Sequence, residues 1–160
     1  TEGEGWRTLA DDLHIPAGLT SDPDGRMIYV TSFFDRKVYK FPVAVEGGPR
    51  RELALGFEPD NLGWAKDGSL LIGGLEGLPS DIMQACQATS DPRCNFPGFV
   101  ARIDVESFVV TCTIALGPTV TTTVAQVGRD LWIGSSRSPK IWRARTSALT
   151  RCPARIEVSR

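Results

Sequence analysis

The residue types that most often carry out chemistry in proteins are few in this sequence. A chain of 160 residues has one histidine, His14, and four cysteines. Histidine exchanges a proton near neutral pH and can therefore act as a general base. His14 lies in the run 11–15, ahead of a predicted strand, with no serine or cysteine nucleophile near it in a recognisable motif. We therefore expect a surface or loop histidine here, rather than a catalytic base.

The cysteines favour an oxidising compartment over a metal site. None belongs to a C-x-x-C pair of the kind that zinc and redox sites use. Cys86 and Cys94 flank a Thr-Ser-Asp-Pro segment at a separation of 8 residues, which allows a short loop to close through a disulfide. We predict that disulfide and a secreted, periplasmic or organellar location. Cys112 and Cys152 could also pair, but one buried and one exposed thiol are the simpler expectation.

Three copies of one short pattern set the expected architecture. Each is a tight turn that leads into an apolar strand, at residues 24–30, 67–73 and 127–134. A turn glycine between two β-rich runs indicates a hairpin, because glycine adopts a positive φ without a Cβ clash. The first two turn glycines, Gly25 and Gly68, are 43 residues apart, which is the spacing of a propeller blade. The next interval is longer because it contains an insertion over residues 78–97.

Each turn belongs to a predicted unit of four strands. The first strands are predicted at 17–21, 61–65 and 122–126, the third at 37–41, 99–103 and 140–144, and the fourth at 51–55, 108–114 and 155–158. A helical stripe is sustained only over 81–88. The pattern predicts an all-β chain of about three four-stranded blades, at 15–56, 57–117 and 118–160. A β-sandwich also uses spaced hairpins, but the repeated unit favours blades.

Three blades are too few to close a propeller ring, since propellers have about four to eight blades. The first and last blades would then expose apolar faces, which mark an interaction surface. We expect a six-bladed ring completed by another propeller half, either a second copy of this chain or a different polypeptide. Residues 6–10 read as the outer strand of a preceding blade and favour the different polypeptide.

Composition argues against two classes of partner. Eighteen Lys and Arg balance nineteen Asp and Glu, for a formal net charge of -1, so we expect no nucleic acid partner. No apolar run approaches the roughly 18 residues that span a bilayer, so no membrane span is expected. The sequence begins at Thr1 rather than Met, as expected of a processed chain or a fragment.

The repeats also resemble a known superfamily. The resemblance is carried by Pro-Ala-Gly-Leu-Thr-Ser-Asp-Pro-Asp-Gly at 16–25 with Ile-Tyr-Val at 28–30, by Pro-Asp-Asn-Leu at 59–62 with the turn at 67–68, and by 123–125 with 131–134. These segments are similar to the C-terminal half of the calcium-dependent six-bladed β-propellers. That superfamily includes the senescence marker protein/gluconolactonase, paraoxonase/arylesterase and strictosidine-synthase-like families. The likeness spans nearly the whole chain.

The resemblance implies a calcium ion at one end of the central channel, held by Asn and Asp side chains. Calcium prefers oxygen ligands and can stabilise the oxyanion formed during lactone or ester hydrolysis. Asp60 and Asn61 match the Asp-Asn ligand pair of the family. Without a metal, Asp60 would be a strand-start residue that caps local amides, and Asn61 a satisfied buried amide.

Two departures from the family weaken the implied site. Ala17 stands where the family usually has a ligand Asn, and Leu75 where it often has a histidine. Glu76 could compensate for the lost ligand, and calcium is expected to be weakened or lost. The first hypothesis is therefore a degenerate propeller half that serves as a structural or interaction subunit. The alternatives are a calcium-dependent lactonase or arylesterase with its remaining site residues on the companion half, and a non-catalytic ligand-binding propeller.

Overall fold

The computed structural model describes residues 5, 8–44, 49–77, 79–86, 94–118 and 120–150. Its strands are β1 (Pro16–Ser21), β2 (Met27–Ser32), β3 (Lys37–Pro42), β4 (Arg51–Ala54), β5 (Glu58–Trp64), β6 (Leu70–Leu75), β7 (Pro97–Asp104), β8 (Val109–Pro118), β9 (Thr121–Val127), β10 (Asp130–Ser135) and β11 (Trp142–Arg145). Two short helices, α1 (Pro79–Ala85) and α2 (Ser147–Thr150), complete the described structure. Helix α1 lies near the predicted stripe, whereas α2 had no sequence signal.

The strands form three separate antiparallel sheets. Blade 1 has the order β1-β2-β3-β4, blade 2 the order β5-β6-β7-β8, and blade 3 contains β9, β10 and β11 with β10 in the middle. The predicted all-β class and the open arrangement of three blades are confirmed. The fourth strand predicted at 155–158 lies outside the described residues. Residues 6 and 7 also lie outside them, so the orphan strand at 6–10 stays a prediction.

The predicted turns between the first and second strands of each blade are present. Gly25, Gly68 and Gly128 have φ values of 66°, 82° and 61°. This left-handed conformation costs a residue with a Cβ atom free energy, and glycine adopts it readily. The three glycines therefore set the start of β2, β6 and β10.

Blade 2 is covered on both faces. Leu70 and Ile72 on β6 pack toward blade 1, in a cluster that includes Tyr29. Leu71, which alternates with them, packs toward blade 3 in a cluster with Leu131. All six residues of β6 are buried, and burial of each aliphatic side chain contributes about 1.5–3 kcal/mol. Blades 1 and 3 thus each give one face to blade 2.

The innermost strands β1 and β5 approach each other closely at Gly18. A Cβ atom added to Gly18 on β1 would lie 2.7 Å from the backbone oxygen of Asp60 on β5. The buried Thr31 hydroxyl donates to that same oxygen at 2.5 Å, while it accepts a hydrogen bond from Gly18 N at 2.7 Å. One side chain thereby joins β1, β2 and β5, and fixes where β5 begins.

A buried carboxylate also joins blades 1 and 2. Glu58 is fully buried at the start of β5, and Arg36 Nε donates to its Oε1 at 2.8 Å. The amide nitrogen of Gly77 donates to the other carboxylate oxygen at 3.2 Å. Such a pair offsets its desolvation only when its hydrogen bonds are made, as they are here. The loop between β2 and β3 is held against blade 2 in this way.

The predicted Cys86–Cys94 disulfide is present and is compatible with an oxidising compartment. Cys112 is buried and is also disulfide-bonded, so the expectation of a free thiol at Cys112 is wrong. Cys152 lies outside the described residues. Neither helix of the described chain has the length and hydropathy needed to span a bilayer.

Substitution of Gly18 tests the close approach of β1 and β5. We expect Gly18→Ala to lower the free energy of unfolding by about 1–3 kcal/mol, because backbone atoms must move to admit the methyl group. The control is Gly56→Ala, where an added Cβ meets no atom within 4 Å. Urea unfolding of the two purified variants measures the difference. Equal stability of the two would contradict the tight inner packing.

Candidate functional site

The candidate site lies at the end of the blades where β1, β5 and β9 begin, which we call the upper end. The loops between β2 and β3 and between β10 and β11 lie at the same end, as does α1. Together they border a cavity of about 480 Å³, which we call the upper pocket. Its lining comprises Ile15, Ala17, Phe33, Phe34, Asp60, Leu75, Ile82, Cys86, Val120, Thr122, Ser136 and Arg137. All three blades therefore contribute to one pocket.

Asp60 is the carboxyl group of this pocket. Its side chain accepts a hydrogen bond from Asn61 Nδ2 at 3.0 Å on Oδ1. Burial raises the pKa of Asp60 from 3.8 to about 6, because the apolar walls disfavour the charged form. The sequence singled out this residue, and the structure places it in the pocket that all three blades border.

Asn61 lies beside the upper pocket and is not part of its lining. Its amide nitrogen donates to Asp60 Oδ1 and to the backbone oxygen of Thr122, each at 3.0 Å. These two bonds fix the side chain between blades 2 and 3. Asn61 is exposed, so the expectation of a buried amide is wrong although its donors are paired. The arrangement assigns Asn61 a positioning role for the Asp60 carboxyl.

The residues around Asp60 do not by themselves fit a calcium ion. Calcium takes six to eight oxygen ligands. Ala17 and Leu75 both line the pocket and offer only hydrocarbon, while Glu76 lines a different cavity with Leu53 and Phe57. Within the described ranges no three His, Cys, Asp or Glu side chains form a group that could hold a metal. A calcium site at Asp60 would need oxygen ligands from other residues.

His14 forms a contact that the sequence did not predict. Its side chain is 73% exposed, in agreement with a loop histidine, and Nδ1 lies 2.5 Å from Asp35 Oδ1. The hydroxyl of Ser32 donates to the other Asp35 oxygen at 2.6 Å, and Tyr39 donates there as well. Burial alone would raise the pKa of Asp35, but these hydrogen bonds hold it well below its usual range. Asp35 thus fixes the orientation of the imidazole.

Several lining residues were missed by the sequence interpretation. Phe33 and Phe34 lie in the loop between β2 and β3, and Arg137 lies in the loop between β10 and β11. These loops join the second and third strands of their blades. The strand order did contain a signal for these residues. In each blade the second strand ends where the first strand begins, so the loop that follows the second strand lies at the upper end. Trp132 is 39% exposed on the outward face of blade 3.

Comparison with known proteins supports the fold. No protein-family model matches the sequence, and no curated protein matches it. Virginiamycin B lyase from Staphylococcus aureus is similar in structure over 82% of this chain and 38% of its own, with a TM-score of 0.53 and 13% identity. Hydrazine synthase from Kuenenia stuttgartiensis is similar over 93% of this chain and 37% of its own, with a TM-score of 0.59 and 17% identity. A chain of the mitotic checkpoint complex reaches a TM-score of 0.50 at 18% identity, over 91% of this chain and 44% of its own.

The first two of these similar structures are β-propeller-type proteins. The chain spans less than half the length of each solved structure above. At these identities the likeness shows the β-propeller fold alone. The fold of this chain is thus that of a partial β-propeller.

The raised pKa of Asp60 predicts how stability depends on pH. A carboxyl whose pKa rises from 3.8 to about 6 on folding makes the folded state lose stability as pH rises through that interval. We therefore expect Asp60→Asn, which keeps an oxygen for Asn61, to stabilise the protein at pH 7.5. Partial solvent exposure limits the gain to about 1–2 kcal/mol. At pH 4 the gain should be nearly absent.

Urea unfolding at the two pH values checks this expectation. Asp24→Asn is the matched control, because Asp24 is an exposed turn carboxyl. The Asp24→Asn variant should not gain stability at pH 7.5. A loss of stability in Asp60→Asn at pH 7.5 would mean that the carboxylate is held by a favourable partner, contrary to the geometry described above.

Proposed function

We propose that this chain is a structural or interaction subunit: one part of a β-propeller whose outer blades pack against blades of another chain or segment. One observation carries the proposal. Large apolar side chains are exposed on the outward faces of blades 1 and 3, whereas blade 2 is buried on both faces. Exposed apolar side chains on a sheet face that no other described blade covers are typical of an interaction surface.

On blade 1 the exposed surface is at the innermost strand. Leu19 pairs with Val30, and Val30 pairs with Tyr39, so the three side chains share the outward face. Val30 and Tyr39 are buried with help from Ala10 and Leu13, which pack against that face. Leu19 is left 69% exposed. A neighbouring blade would approach at this strand, as β5 approaches β1 on the other side.

On blade 3 the outward face combines an aromatic ring with charge. Trp132 pairs with Ala125 on β9 and with Arg143 on β11, and the Arg143 guanidinium lies 5.9 Å from the ring centroid. Arg143 also pairs with Asp130 at 3.0 Å. Val127, on the same face of β9, is 63% exposed. Tryptophan and arginine are enriched among the residues that dominate binding energy at protein interfaces.

The number of described blades supports packing against further blades of another chain or segment. A propeller buries blade faces by placing every blade between two others, and about four to eight blades close the ring. The solved propellers of similar structure are more than twice as long as the matched part. A partner that supplies the remaining blades would cover Leu19 and Trp132 at once.

A second candidate function comes from the family resemblance and from the place of Asp60 in the upper pocket. It is a calcium-dependent lactone or ester hydrolase, with the remaining metal ligands on the companion half. Measurement of calcium per assembly after exhaustive dialysis tests this candidate. One calcium per assembly that is lost in Asp60→Ala would favour the hydrolase. An assembly with no calcium above the buffer level would favour the structural role.

Charge placed on the outward faces tests the proposed interface. We expect Leu19→Glu and Trp132→Glu each to weaken the assembly, because a buried carboxylate without a partner costs several kcal/mol. Native mass spectrometry of the purified material gives the fraction of chain in the complex. Val43→Glu is the control, since Val43 is 48% exposed but follows the end of β3 rather than lying on a blade face.

We expect the control to assemble like the unmodified chain and both face variants to release free chain. Circular dichroism of the released chain verifies that its strands persist. A chain that is monomeric before any substitution, or face variants that assemble normally, would contradict the proposal.

A further inference from the structure

The upper pocket has the walls of a small-molecule site. Its volume of about 480 Å³ lies within the range of about 300–1,000 Å³ that is usual for ligand pockets. Hydrocarbon from all three blades and α1 forms most of the lining, including Phe33, Leu75, Ile82 and Val120. Leu75, Ile82 and Val120 belong to a buried cluster beneath the pocket, with Phe33 packed against it. The walls are therefore braced by the protein interior.

The pocket lining has few polar side chains, and they differ in charge. Asp60 and Arg137 are the charged residues of the lining, and no ion pair joins them in the part of the chain that the structure describes. Asn61 Nδ2 donates a hydrogen bond to Asp60 Oδ1, whereas Asp60 Oδ2 accepts no hydrogen bond from the described residues. An unpaired carboxylate oxygen against apolar walls is the strongest available hydrogen-bond acceptor of the pocket.

The surroundings of Asp60 suit a ligand cation better than calcium. Ala17 occupies the position on blade 1 that corresponds to Asp60 on blade 2, and its methyl group offers no ligand. Leu75 likewise gives only hydrocarbon. The pocket lining offers a metal ion the Asp60 carboxyl group and the hydroxyl groups of Thr122 and Ser136, fewer oxygens than the six to eight that calcium takes. A nitrogen-centred cation needs only one carboxylate and gains from apolar walls around its carbon body.

We propose that the upper pocket binds a small primary amine with an aromatic or branched aliphatic body, its ammonium group held by the Asp60 carboxylate. The ammonium donates to Oδ2, while Asn61 keeps the carboxylate oriented through Oδ1. The apolar body packs against the aromatic and aliphatic walls. Every residue of this binding site belongs to the described part of the chain. Amine binding therefore does not depend on the structural role proposed above.

The charge of the ligand determines whether the pocket prefers an amine, an alcohol or a carboxylic acid. A charged hydrogen bond is roughly twice as strong as a neutral one, and the apolar walls weaken dielectric screening. A neutral alcohol would gain only the weaker bond. A carboxylic acid would be repelled by Asp60, and Arg137, on the loop between β10 and β11, is the charged lining residue that would attract it. The order of affinity should therefore be amine, then alcohol, then acid.

The experiment uses the full chain in the assembly in which it is purified, at pH 7.5. The probes are 2-phenylethylamine, 2-phenylethanol and phenylacetate, which share one aromatic body and differ in charge. Dissociation constants come from ligand-observed NMR, with and without excess calcium. The variants are Asp60→Asn, which keeps the shape, Ala17→Leu, which fills the pocket, and Asp24→Asn as the control.

We expect the amine to bind about tenfold or more tightly than the alcohol, which corresponds to at least about 1.4 kcal/mol. Asp60→Asn should abolish that preference while the alcohol still binds, Ala17→Leu should weaken both probes, and Asp24→Asn should change neither. Circular dichroism checks that each variant is folded. If Asp60→Asn does not fold, Ala17→Leu still tests whether the probes bind in the upper pocket.

Three results would overturn the inference: no probe binds the unmodified chain, the acid binds more tightly than the amine, or Asp60→Asn retains the preference for the amine. Displacement of the amine by calcium at micromolar concentration would also overturn it, because Asp60 would then serve a metal site.

Discussion

The inner strands β1 and β5 lie so close together that position 18 has no room for a side chain. Gly18 lets β1 approach β5, and the Thr31 hydroxyl bridges the two strands through the backbone oxygen of Asp60. Thr31 holds the backbone oxygen of Asp60, and the side chain of the same residue lines the upper pocket. Packing between blades and the position of the candidate site are therefore set by one contact. A side chain at position 18 would move both.

The same geometry explains why the upper pocket has its chemistry. Corresponding positions at the start of the inner strands converge at the upper end, so the residue type at each position decides the character of the pocket. Ala17 on blade 1, Asp60 on blade 2 and Thr122 on blade 3 contribute a methyl group, a carboxyl group and a hydroxyl group. The fold supplies the cavity, and the residue types at these three positions determine its polar and apolar groups.

Local signals in the sequence were sufficient for the blades and insufficient for the site. Turn glycines such as Gly68 and strand alternation have local causes, so the three sheets could be predicted, and the short Cys86–Cys94 loop also follows from proximity along the chain. The contact between His14 and Asp35 joins two residues whose proximity depends on tertiary packing. Strand ends also shifted, since β8 runs to Pro118 where the sequence predicted an end at 114. Asp60 was found through a family pattern, but its apolar surroundings come from three blades at once.

The central claim is that the outward faces of blades 1 and 3 are packing faces for further blades. A crystal structure of the assembly that contains this chain tests it most directly. We expect a closed ring in which strands of another chain or segment lie against Leu19 on one side and Trp132 on the other. An assembly in which both residues face solvent while the partner binds elsewhere would contradict it.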